Sequence, residues 1–88
     1  MVSLFISQNE SALLEIGNHV ATGDFAPVKT ILHKMKPSVM VMGVGAATEI
    51  IRQIEQMDFA ALDEALFISL LKKLEKTLKI VNSQLRVI

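Results

Sequence analysis

The side chains best placed for chemistry in this chain are His33, Lys36 three residues after it and Lys29 four residues before it. In a helix, residues three or four apart lie on one face, so the imidazole and both ammonium groups would share a surface. A free imidazole, with a reference pKa near ~6.5, is largely neutral at cellular pH and can attack phosphorus. Covalent capture of a phosphoryl group divides one difficult transfer into two easier ones. Lys36 can donate a charge-assisted hydrogen bond to a phosphoryl oxygen. The segment continues with Pro37 and Ser38, and Gly43 stands ten residues after the histidine.

A helix must present these groups. At 100° per residue, Val28, Ile31, Met35, Val39 and Met42 form one apolar stripe, with Leu32 at its edge. That stripe is the expected core face, and His33 falls roughly opposite it. Lys29, Lys36, Pro37 and Met40 cluster near the histidine, flanked by Val41 and Gly43. A proline inside a helix removes the hydrogen bond to the carbonyl four residues back, here that of His33, at ~3 kcal/mol or more. The stripe nevertheless continues in register past Pro37, which predicts a kinked but continuous helix. Met40, Val41 and Val44 then read as core after the kink or as an exposed apolar docking patch.

The remaining elements also read as helical. Ser7 and Glu10 have capping-box spacing ahead of Leu13, Leu14, Ile16 and Val20, so a first helix is expected from about residue 7. Gly23 would end it, Asp24 would cap the histidine helix, and Pro27 would lie in that helix's first turn. A third helix is expected over about 46–57, with Ile50, Ile51 and Ile54 as its stripe. Asp58 would cap a fourth, carrying Leu62, Leu66, Leu70, Leu74, Leu78 and Val81 on one side and Asp63, Lys72, Lys73, Lys76 and Lys79 on the other. Four helices with short connections predict an all-α, antiparallel up-down four-helix bundle, a single domain over 1–88. Asp24-Phe25-Ala26 recurs as Asp58-Phe59-Ala60, but the match ends there, so a repeated helix start explains it better than a repeat architecture.

Composition agrees. Apolar residues make up 51% of the 88 positions and aromatics only 5%, as in small bundles cored by Leu, Ile, Val, Met and Ala. The formal net charge is zero, which gives no basic footprint for nucleic acid. There is no cysteine, hence no disulfide or thiolate metal site, in keeping with a cytoplasmic protein. No basic n-region precedes the short apolar start, and no apolar run approaches the ~20 residues of a membrane helix, so a soluble chain without a signal peptide is expected. His19 lacks a lysine three residues on, and a structural or surface role is expected for it. Glu49, Glu55 and Glu64 show no ligand spacing with either histidine, so no metal site is expected.

The order His33, Lys36, Pro37, Ser38 and Gly43 resembles the signature of histidine-containing phosphotransfer domains, the phosphoryl shuttles of bacterial phosphorelays. The helix order and the Gly23-Asp24 connection are similar too, over about residues 8–85. The resemblance implies His33 as phosphoacceptor, Lys36 as the phosphoryl-stabilising cation and Gly43 as a position that leaves room near the histidine. Leu32 stands where the family often has alanine, and Pro37 where it most often has glycine. Also implied are receiver domains of hybrid kinases and response regulators as partners, with Mg²⁺ on the receiver and no cofactor on this chain. A monomer is the usual state. Lys29, Pro37, Met40, Val41, Gly43 and Val44 form the expected docking surface. The carrier would have no autonomous kinase activity. A sensor-kinase dimerisation helix fits less well, because Lys34 stands where an acidic base would follow the histidine. The alternative is a helical interaction module that binds receivers without carrying phosphate.

Overall fold

The computed structural model describes residues 2–86, and every regular element among them is helical. Four α-helices, α1 (Val2–Thr22), α2 (Ala26–Val41), α3 (Gly45–Glu55) and α4 (Glu64–Arg86), are joined by short connections, the last containing a 3-10 turn at Phe59–Ala61. Helix α1 packs on α2, α2 on α3, α3 on α4 and α4 on α1, closing a ring about one core. Among the described residues no helix is long and apolar enough to cross a membrane.

Two glycines stop helices, Gly23 where the end of α1 is expected and Gly43 at the end of α2. Gly23 (φ +76°) donates its N–H to the Val20 carbonyl while Asp24 donates to that of His19. Gly43 (φ +74°) repeats the arrangement, donating to Met40 while Val44 donates to Val39. Both are Schellman caps, in which a left-handed residue turns the last orphan carbonyls back onto N–H donors. Pro27 lies in the first turn of α2, where its missing N–H has no helical acceptor to serve.

The helix starts differ from expectation. Ser7 and Glu10 lie inside α1, not at its beginning, because Phe5 and Ile6 are buried and extend the apolar face by more than a turn. Asp24 does not cap α2; Phe25 is the cap residue and no side chain bonds to the open N–H groups. Asp58 caps the 3-10 turn by accepting from Ala60 N–H, and Asp63 caps α4 by accepting from Leu66 N–H at 3.2 Å. The fourth helix therefore begins later than expected, and Leu62 lies before it.

Its buried face differs as well. Phe67, Leu71, Leu74, Leu78 and Asn82 face the core, whereas Leu66 is exposed and Leu70 and Val81 are half-buried. A ladder spaced strictly by four precesses ~40° per step round a helix of 3.6 residues per turn, so it cannot stay on one face. The Ile50, Ile51 and Ile54 stripe of α3 is buried as expected. The two Asp-Phe-Ala segments have a shared destination: Phe25 and Phe59 both pack on the fully buried Phe67, with ring centroids 5.0 and 5.4 Å away. Tilted and edge-on contacts of this kind favour the ring quadrupoles.

Candidate functional site

Helix α2 carries the site. Its core face is Val28, Leu32, Met35 and Val39, with Ile31 and Met42 half-buried at the margin. Leu32 is thus central and not peripheral, and Ile31 is displaced to the α1 side. His33, one residue past Leu32, is exposed. The helix runs through Pro37 without interruption, as expected. Pro37 offers no N–H to the His33 carbonyl, so the peptide group after the imidazole lacks its usual helical donor four residues on.

Both flanking lysines are engaged by the elements that follow α2. Lys36 Nζ lies 3.5 Å from Glu55 Oε2 in the last turn of α3, with 27% of the lysine side chain and 21% of the glutamate exposed. Lys29 Nζ stands over the Phe59 ring, 5.3 Å from its centroid, a cation–π contact. Sequence reasoning missed Glu55 and Phe59. Glu55 carries one usable signal: a carboxylate in the last turn of a helix opposes the helix dipole and so calls for a nearby cation.

The rest of the expected docking surface divides. Met40 (56% exposed) and Val41 (75%) are open apolar side chains on the part of α2 beyond His33, so they are not core. Pro37 is exposed beside them. Leu4 of α1, also exposed, joins Phe5, Pro37, Val41 and Met42 around a shallow cavity of about 280 Å³. Gly43 lies in the turn after α2, where a Cβ would meet no atom within 4 Å; its positive φ is what the backbone requires of it. Val44 is half-buried against the core and its carbonyl accepts from Thr48 Oγ1, so it faces partly inward.

His19 is half-buried in the last turn of α1, apart from this surface. Among the described residues no group of three His, Asp or Glu side chains could hold a metal ion. What the arrangement offers chemically is one accessible imidazole, the cations Lys29, Lys34 and Lys36 about a helical turn or less from it, and an adjoining apolar surface. No family model, curated protein or solved structure matches the chain.

Proposed function

We propose that this chain is a phosphorelay carrier: His33 accepts a phosphoryl group from a receiver-domain aspartate and passes it to the aspartate of another receiver. The observation that carries this reading is an exposed His33 with Lys36 one turn on and the open apolar side chains Met40 and Val41 beyond them. In the forward step a neutral imidazole nitrogen attacks phosphorus, the P–O bond to the aspartyl carboxylate breaks, an N–P bond forms and aspartate leaves as carboxylate. The reverse of this step on a second receiver discharges the histidine. Mg²⁺ would be held by the receiver, and no kinase activity is assigned to this chain. Met40, Val41, Pro37 and Lys29 would meet the receiver, with the carrier a cytoplasmic monomer.

We read the helices as running alternately up and down. Asn9, early in α1, pairs with Asn82, late in α4, and Glu10 pairs with Arg86 at 2.7 Å. Lys29, early in α2, stands over the Phe59 ring just beyond the end of α3, and a short turn joins the end of α2 to the start of α3. Such an arrangement leaves the centre of α2 open to a partner along its outer face.

A second reading is favoured by one feature. Lys36 is already paired with Glu55, as a purely structural lysine would be, which suits an interaction module that binds receivers without carrying phosphate.

Incubation with phosphorylated receivers separates the two. A carrier acquires acid-labile, base-stable phosphate, and His33→Gln loses it while keeping receiver binding and the wild-type unfolding midpoint, as befits an exposed position. Receiver binding with no label on the wild type would leave only the interaction module.

A further inference from the structure

The Glu55 carboxylate is poorly placed for stability in three respects. It lies in the last turn of α3, where the helix dipole disfavours negative charge. Its Oε1 is buried with no hydrogen-bond partner among the described residues. Its Oε2 has one partner, Lys36 Nζ, at 3.5 Å, the long end of a hydrogen bond. Glutamine or a small apolar residue would fill this position with less desolvated charge, so an orphaned acceptor here calls for an explanation other than packing.

Lys36 supplies one. It is the cation one turn from His33, and its ammonium is drawn towards α3. We propose that Glu55 is a positioning residue that sets the energy of phosphohistidine at His33: it holds Lys36 against α3 and opposes the incoming phosphoryl charge. This rests on the phosphocarrier reading above. Two electrostatic effects act in one direction. Pairing with Glu55 partly neutralises the charge that Lys36 could offer to a phosphoryl oxygen, and the carboxylate itself repels the phosphoryl dianion. Both raise the energy of the phosphorylated state relative to the free one.

A shuttle gains from this. It must take a phosphoryl group from one aspartyl phosphate and surrender it to another, so a phosphohistidine stabilised too well would trap the group. On phosphorylation Lys36 has two anionic partners on opposite sides, and its three donors allow it to be shared between them. The charge of Glu55 then limits how far the ammonium moves to the phosphoryl oxygens. Lys29, the other flanking cation, stands over Phe59 and is not within this pair.

The test is the equilibrium distribution of phosphate between a receiver aspartate and His33, measured for wild type, Glu55→Gln, Lys36→Ala and the double variant. Direct phosphorylation by phosphoramidate gives a receiver-independent control for labelling at His33. Glu55→Gln should shift the distribution towards phosphohistidine by about three- to tenfold, as expected for removing one charge from a partly exposed site. Lys36→Ala should shift it the other way. In the Lys36→Ala background, Glu55→Gln should have a smaller effect, since the paired part of its action is gone. Glu55→Ala, which also removes the carboxylate, should move the distribution in the same direction as Glu55→Gln. Labelled wild type with an unchanged or receiver-shifted Glu55→Gln distribution would overturn the role of Glu55 and leave the carrier intact. A wild type that phosphoramidate and phosphorylated receivers both fail to label at His33 would overturn the carrier and this role together.

Discussion

Among the described residues Asn9 and Asn82 are the two buried polar side chains of the core, 3% and 1% exposed, and each donates its amide to the other's oxygen, at 2.9 and 2.7 Å. Substituting Asn82 with leucine keeps the branching and the number of side-chain heavy atoms but leaves the Asn9 amide and carbonyl with no partner. Each orphaned group costs about 1–3 kcal/mol, so Asn82→Leu should lose about 2–6 kcal/mol, and Asn9→Leu a similar amount. That is a large share of the 5–15 kcal/mol typical of a native domain. The double variant Asn9→Leu/Asn82→Leu leaves no orphan and should fall within about 1 kcal/mol of wild type, giving a coupling energy of about 3 kcal/mol or more. Urea unfolding followed by far-ultraviolet circular dichroism measures all four corners of the cycle. Single variants that each cost under ~1 kcal/mol, or a double variant whose loss equals the sum of the singles, would refute the reasoning. The pair also bears on the site. It fixes α1 against α4, and α1 in turn places Leu4 and Phe5 beside Pro37 and Val41.

Two further perturbations test the helix that carries His33. Pro37→Ala restores an N–H to the His33 carbonyl, recovering part of the ~3 kcal/mol a helical proline costs but loosening the unfolded chain by ~0.5–1 kcal/mol. Thermal unfolding should show a net gain of about 1–2 kcal/mol, and no gain would mean that α2 loses nothing at Pro37. Gly43→Ala should cost about 1–2 kcal/mol in the same assay, because φ is +74° although a Cβ would meet nothing there. Gly45→Ala is its control: space is equally open, φ is not positive, and the substitution should be neutral or stabilising.

The positions of the helices were more legible than their ends. Gly23 could be identified as a stop because a left-handed cap needs glycine for a reason local to one residue. Asp24 and Asp58 could not be placed by the same logic. A capping side chain competes with neighbours whose apolar contacts lie elsewhere in the chain, and here Phe25 and Phe59 are drawn to Phe67. The start of α1 was misplaced for a related reason, since the burial of Phe5 and Ile6 depends on what packs over them. Asn9 shows the limit most plainly. Polar in sequence, it is core in the fold because Asn82, 73 residues away, satisfies it.

The site was legible to the extent that it depends on α2 alone, and the missing part follows from how α2 is rotated. A stripe of Val28, Ile31, Met35, Val39 and Met42 would centre the core face about 30° from the observed face of Val28, Leu32, Met35 and Val39, at 100° per residue. On the expected rotation Lys36 would stand about 100° from the core direction, in solvent beside His33; on the observed one it stands about 70° away, at the seam with α3. His33 is little affected, because it lies about 130° from the core direction and remains exposed. The rotation thus separates two residues that the sequence presents as a pair: the histidine stays at the surface and the lysine enters a seam where Glu55 meets it. The burial of Leu32 in preference to Ile31 fixes this choice. Any exchange between the Lys36–Glu55 pair and a charge on His33 therefore acts across the α2–α3 seam, and not only along the exposed face of α2.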